Sequence, residues 1–375
     1  MKHTIYSIPG HYDGELFYNT PRTIWLGGDD LVMITGKMHV DKCDLPETAE
    51  ITHSTDGGKT WGAFSYIDEL APKLCEDGII RTPCDIAPFR HSSGRHFAFF
   101  CLQPSLPDGK APMQDTEIPT VFGEYDAASG KFGELYPLDI PKGDWQTLTA
   151  GGGGQCAAED ENGDILIACN LARAPGKEYG SVAFDPRLFY VCVMRFRVEG
   201  KHLRYMEAGD QMTVNVGRGL YEPSLYHFGG RYYLTLRNDE HGYIAVSDDG
   251  LHFNEPQVWK WDSGEILPNY NTQQHFLECG GKLYLVYTRK AGNNDHVFRH
   301  RAPLFMAEID TENLCIRRHT EVIAAPERGA RLGNFGVTQM GKDKAVITVA
   351  EWMQPKGCER FGSDNTIWST VAEAD

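Results

Sequence analysis

The 375-residue sequence has no apolar run approaching the ~18–20 residues that would span a bilayer, so a membrane helix is not expected. Basic residues are also in deficit. There are 36 Lys and Arg against 52 Asp and Glu, a formal net charge of −16. A nucleic acid or an anionic membrane surface would need a basic footprint, so neither is an expected partner. The N-terminal stretch Met1 to Gly10 lacks the ~7–15-residue apolar core of a secretory signal. The ten cysteines form no C-x-x-C pair and show none of the dense spacing of a disulfide scaffold. Cys101, Cys169 and Cys192 sit inside apolar strand-like runs and read as buried thiols. The expectation is a soluble chain in a reducing, cytoplasmic setting. What the sequence does have is 40 Gly, 20 Pro and 11% aromatics without a low-complexity tract. That composition suits many short strands joined by tight turns.

A repeat runs the length of the chain. A glycine turn followed by a short apolar strand appears at Gly28-Asp29-Asp30 before Leu31, at Gly94-Arg95 before His96 and at Gly163-Asp164 before Ile165. It returns at Gly229-Gly230-Arg231, at Gly280-Gly281-Lys282 and at Gly341-Lys342. Each copy follows another strand-like run, so each opens with a hairpin. Five copies carry a second turn between two further strands, clearest in Ser54-Thr55-Asp56-Gly57-Gly58-Lys59-Thr60-Trp61 and closely varied in Ser247-Asp248-Asp249-Gly250-Leu251-His252-Phe253. The unit is a four-stranded antiparallel meander, which is one propeller blade. The sixth copy runs out after a third strand near Thr366 to Ser369, and Thr4 to Ile8 is free to supply the fourth and cover the edge. The expected fold is all-β, a six-bladed β-propeller closed by the N-terminal strand, as one domain over 1–375. Seven blades of ~53 residues would also fit within the usual four to eight.

In Ser54 to Trp61 the Asp accepts hydrogen bonds from its own turn, the glycines supply positive φ, and the Trp ring packs on the blade. The motif is a folding device. It resembles the Asp-box, or bacterial neuraminidase repeat, of sialidases and related six-bladed glycosidases, and the resemblance extends over all six repeats. The resemblance implies a set of site residues, blade by blade.

Sialidases open the first inner strand with Phe-Arg-Ile-Pro, whose Arg grips the substrate carboxylate. Here the stretch is Tyr18-Asn19-Thr20-Pro21, with Arg22 after the proline as the alternative cation. The sialidase acid/base Asp precedes the first Asp-box, where His39, Asp41 and Asp44 lie; Asp44 or Asp41 would serve as acid, with His39 as another proton donor. Tyr221-Glu222-Pro223 followed by Arg237 matches the blade that supplies a Glu and the second Arg of the triad. A carboxylate beside a guanidinium can act as base or stabilise charge. In the fifth repeat Gln273, Gln274 and His275 open the inner strand as candidate sugar-hydroxyl ligands, Arg289 ends the second strand, and Arg299 or Arg301 matches the third Arg. The sixth inner strand opens with Arg331-Leu332-Gly333-Asn334, with no tyrosine where sialidases keep their nucleophile. Tyr270 and Tyr221 are the neighbouring tyrosines. Gly151 to Gly154 suggests close backbone approach to a ligand, and Glu351-Trp352 a stacking face for a sugar or simply packing. His275, His296 and His300 lack diagnostic ligand spacing, so neither a metal nor a cofactor is expected.

The expected function is a sialidase-like glycosidase, exo-acting on short oligosaccharides that carry an acidic or polar sugar. Glu222 would pair with Asp44 or Asp85, while Arg22, His39, Arg237, Gln274, His275, Arg289, Arg301 and Asn334 would bind substrate. Two alternatives remain open on the same fold: a uronate lyase, with an Arg neutralising the uronate and His275 or a nearby Tyr abstracting a proton, or a sugar-binding propeller without catalysis.

Overall fold

Every glycine turn of the repeat joins two neighbouring antiparallel strands of one sheet in the computed structural model of the chain. The structure describes residues 1–10, 12–42, 45–110, 112, 118–140, 147–149, 154–172 and 188–375. Gly229 and Gly230 (φ 59° and 80°) and Gly280 and Gly281 (φ 61° and 70°) make two-residue hairpin loops. Both central positions of such a loop need positive φ to match the strand twist, which glycine adopts without a Cβ penalty. The chain is nearly all β, with six antiparallel four-strand meanders, short accessory strands on three of them, and the fold class of a six-bladed β-propeller.

The chain divides into two compact units, residues 1–67 with 258–375, and residues 68–257. The first unit holds three sheets. One runs Leu16–Gly27, Asp30–His39, Thr48–Ser54, Ser65–Tyr66; another His275–Cys279, Lys282–Tyr287, Leu304–Asp310, finished by Cys315–Ile316 and Val322–Ala325. The third is Gly336–Gln339, Lys344–Ala350, Ile367–Glu373 and the N-terminal strand Lys2–Ile8, paired from Lys2 opposite Glu373 to Ile8 opposite Ile367. The N-terminal run thus supplies the missing fourth strand and shields an edge that would otherwise present unpaired N–H and C=O groups. Asn365, fully buried, fastens two of these sheets: its Nδ2 donates to the carbonyls of Tyr18 (2.9 Å) and Glu351 (2.8 Å), and its Oδ1 accepts from Tyr18 N (2.7 Å).

The second unit holds the sheets built on Ile80–Arg90, Ile165–Ala172 and Tyr221–Phe228. Its core gathers Phe97, Phe99, Phe122, Ile165, Ile167, Met194 and Phe196 from facing strands. Cys101, Cys169 and Cys192 are buried there. Burial pushes the Cys192 thiol up to about 12 and holds Cys169 well above its ordinary value, so both are inert protonated thiols.

The Ser54 to Trp61 turn forms as its chemistry dictates. Asp56 accepts from the amides of Lys59 (3.1 Å) and Thr60 (2.9 Å) and from the hydroxyls of Ser54 (2.8 Å) and Thr60 (2.6 Å). Trp61 donates its indole N–H to the Gly58 carbonyl at 3.2 Å and packs beside Met33, Val346 and Val371. The Ser247 turn repeats the arrangement, with Asp249 taking the amides of Leu251 (2.9 Å) and His252 (2.8 Å).

Candidate functional site

Three inner strands share one irregularity. Between Asn19 and Arg22, Cys84 and Ala87, and Tyr221 and Ser224, one extra residue is inserted against the neighbouring strand. The residue at the bulge is left-handed in each case: Thr20 (φ 50°), Asp85 (φ 52°) and Glu222 (φ 46°). Two more inner strands are preceded by left-handed residues, Asn271 (φ 48°) and Asn334 (φ 59°). Bulges re-aim side chains, and left-handed non-glycine residues cost about 1–3 kcal/mol each; both gather at functional sites. A sequence signal for two of them existed. Pro21 and Pro223 lie inside strands, and proline there is confined to edges and bulges.

In the second unit the bulge delivers Glu222 to Arg237. Both carboxylate oxygens accept from Arg237 Nη1 at 2.6 Å, while the Glu222 amide donates to Asn170 Oδ1 at 2.6 Å. Burial alone would pull the Arg237 pKa down, and the Glu222 charge more than reverses it, so the net direction is up. Two guanidiniums lie over the Tyr221 ring, Arg237 at 4.8 Å and Arg218 at 4.7 Å from its centroid. Its hydroxyl accepts from Arg218 Nη2 and donates to Asp239 Oδ1, both at 2.7 Å. Hydrogen bonds from Arg218 hold the Asp239 carboxyl well below the usual carboxylate range. Burial pushes the Tyr221 phenol up to about 12. The cluster is a carboxylate fixed by a buried cation, with a rigid, protonated phenol beneath it.

The first unit gathers a different set. Arg22, 1% exposed, donates from Nη2 to Gln273 Oε1 at 2.8 Å. His275 is fully buried, and its Nε2–H donates to the Phe335 carbonyl at 3.1 Å. Burial, with the Arg22 charge adding to it, lowers its pKa to about 3, so His275 is a neutral imidazole at ordinary pH. Gln274 is buried beside it. Arg301, also buried, donates from Nε (3.1 Å) and Nη2 (2.6 Å) to the carbonyl of Asn271. It lies so close to Gly333 that a Cβ there would stand 2.8 Å from Nη1. Asn334, the next residue, is buried.

Arg289 and His39 are placed otherwise. Arg289 forms a two-pronged pair with Glu321 (2.8 and 2.5 Å) and donates to the carbonyls of Lys290 and Ala291. His39 sits partly exposed, its Nδ1 accepting from the Asp41 amide at 3.2 Å. Trp352 is buried against Phe17, with the Arg331 guanidinium 4.5 Å from its ring, which is packing. Asp44 and Gly151 to Gly153 lie outside the described residues.

Two groups of residues emerge only in three dimensions. Glu351, 1% exposed, takes the amides of Asp364 (2.9 Å) and Thr366 (3.1 Å) and pairs with Arg328 Nε (2.9 Å). Desolvation raises its pKa. Tyr270 Oη lies 2.6 Å from His300 Nδ1, on a loop where Ala291, Asn293, Arg299 and His300 are all left-handed. Buried Asn294 holds that loop by donating to the carbonyls of Arg289 (2.9 Å), His300 (3.2 Å) and Ala302 (2.6 Å). Among the described residues no group of three or more His, Cys, Asp or Glu side chains is disposed to hold a metal ion, and no helix is long and apolar enough to cross a membrane.

The fold is that of a six-bladed β-propeller, similar to the propellers of sialidases. Among solved structures, a Dyadobacter fermentans protein of unknown function superposes with a TM-score of 0.68 at 15% identity, covering 98% of both chains. A Hadza microbial sialidase gives 0.65 at 12% identity over 95% of this chain and 66% of its own, so this chain spans just under two thirds of that enzyme. An α-L-arabinofuranosidase from Fusarium graminearum gives 0.60 at 10% identity over 100% of this chain and 98% of its own. No protein-family model and no curated protein sequence matches.

Proposed function

We propose that the protein is a glycoside hydrolase acting on an acidic or polar sugar at the end of a short oligosaccharide, with Glu222 as the catalytic carboxylate. The observation that carries this reading is the Glu222–Arg237 contact. A carboxylate lifted out of the strand by a left-handed bulge and fixed at 2.6 Å by a buried guanidinium is held at a defined angle while its side chain keeps access to solvent. Strain of that kind persists where position matters more than local stability. The sialidase and arabinofuranosidase likenesses support the same class of reaction.

Asp85 is the proposed second carboxylate, left-handed at the equivalent bulge of another sheet in the same unit. If the two carboxyls stand ~5–5.5 Å apart in the working enzyme, hydrolysis proceeds with retention; ~6.5–9.5 Å gives inversion. A short oligosaccharide fits the cytoplasmic setting proposed for the chain, since a polymer would have to be imported first. The test is a glycan panel read by mass spectrometry for products that have gained one water. Glu222→Gln should lower turnover by ~10²–10⁴-fold, the usual contribution of a positioned acid or base, with the far-ultraviolet circular dichroism unchanged at the assay temperature. Full activity in Glu222→Gln would remove Glu222 from the reaction.

A further inference from the structure

We propose that Tyr270 and His300 form a second proton-handling centre, one that cleaves 4-linked uronate oligosaccharides by elimination rather than hydrolysis. The inference rests on the acidic-sugar part of the proposed function and is independent of Glu222.

Four observations converge on the pair. The phenol and the imidazole nitrogen are 2.6 Å apart, within reach for direct proton exchange. His300 and Arg299 are consecutive left-handed non-glycine residues (φ 53° and 55°), and the buried Asn294 amide fastens the loop around them through three carbonyls. Held strain on a stapled loop is the signature of a side chain whose position matters. The surroundings are cationic: Lys290 Nζ lies 4.2 Å from the Tyr270 ring centroid, the Arg301 guanidinium binds the carbonyl of Asn271, and exposed Arg299 reaches Asn271 Oδ1 at 3.5 Å. Asp295 Oδ1 lies 3.4 Å from His300 Nε2 on the far side of the ring. Tyr270 and His300 both keep partial access to solvent.

The chemistry closes on these groups alone. Tyr270 passes its proton to His300 Nδ1; burial raises the phenol's pKa, and the Arg299 and Arg301 charges pull against it, offsetting part of the cost of the phenolate. The sugar carboxylate binds Arg299, which lowers the cost of a carbanion at the adjacent C5. Phenolate Oη takes the C5 proton, the freed electron pair forms the C4–C5 double bond, and the C4–O glycosidic bond breaks. The same Oη returns that proton to the leaving oxygen. One C–H and one C–O bond are lost and one C=C π bond and one O–H bond are gained, with no water and no redox partner consumed. Tyr270 is the catalytic residue, and His300 is a positioning residue that stores its proton.

The test uses the full-length protein and a panel of 4-linked oligouronates, read by ultraviolet absorbance of the unsaturated product and by mass spectrometry. The wild type should yield fragments whose masses sum to that of the substrate, one of them unsaturated. Tyr270→Phe keeps the ring and should lower that product by ~10²–10⁴-fold with unchanged thermal unfolding. His300→Gln should retain part of the activity but shift its pH profile towards the phenol's own ionisation, with Lys290, Arg299, Arg301 and Asp295 unchanged around it. If the panel gives only hydrolysed products, elimination is overturned while the hydrolase stands; if Glu222→Gln abolishes hydrolysis and leaves elimination intact, the two centres are separate. Unsaturated product undiminished in Tyr270→Phe, or no product of either kind from any oligouronate, overturns the proposal.

Discussion

Removing both partners of the Glu222–Arg237 pair should cost less stability than the sum of removing each alone. Arg237 keeps 8% of its side chain exposed and Glu222 21%, so the pair is mostly withdrawn from water. Breaking a buried pair from one side costs about 3–5 kcal/mol, because a desolvated charge is left with less compensation. The residual exposure of Glu222 places Glu222→Gln at the low end, about 3 kcal/mol. For a cooperative unit of this size each kcal/mol moves the midpoint by about 2–4 °C, so the variant should melt about 6–12 °C lower. Arg237→Met keeps much of the packing on Tyr221 but strands the carboxylate, and should cost a similar amount. The double variant removes both charges. It should fall short of the sum of the singles by at least about 1.5 kcal/mol, as contacting residues in one network do. The assay is a double-mutant cycle by urea unfolding near neutral pH. A coupling energy below about 0.5 kcal/mol, the error of additivity for independent sites, would refute the claim that this contact holds the carboxylate in place.

Two pH effects arise from the turns and the core. Burial raises the Asp56 pKa, but hydrogen bonds from Thr60, Ser54 and Lys59 outweigh it and hold the carboxyl at about 2, below its ordinary 3.8. Its contribution is therefore complete above the ordinary value and lost as the pH falls through 2. Asp56→Ala should cost about 1 kcal/mol at pH 7 after allowing for solvent screening, and the gap from wild type should narrow between about pH 4 and pH 2. An equal gap at both ends of that window, measured by chemical denaturation, would contradict the assignment. His275 runs in the other sense for a base: its folded pKa of about 3 lies below the ordinary 6.5, so within that window only the unfolded chain takes up the proton. Wild-type stability should fall on acidification from 6.5 towards 3. His275→Gln should show a shallower acid limb, by up to about 1.4 kcal/mol per pH unit for the one missing proton. Parallel limbs would mean that the folded protein protonates His275 readily.

What the sequence could and could not disclose is clearest in two arginines. Arg237 ends the second strand of its sheet, and Arg289 lies two residues past the end of the equivalent strand of another, Lys282–Tyr287. The glycine turns that establish that equivalence are readable because positive φ is a local demand that glycine alone meets cheaply. The bulge that brings Glu222 onto Arg237 is also local, marked by Pro223. Arg289 has no such neighbour. Its carboxylate is Glu321, 32 residues further along the chain, which takes the guanidinium through two prongs. No periodicity predicts that capture. The same holds for Glu351, held by Arg328 and by the amides on either side of Asn365, and for His300, whose ring meets the hydroxyl of Tyr270, 30 residues earlier in the chain, at 2.6 Å. Each is set by a side chain acting on the backbone or the charge of a distant loop. Repeats therefore locate the strands from which a site can be built, while the choice between a structural arginine and a working one is made by the loops, where the repeat no longer constrains the residues.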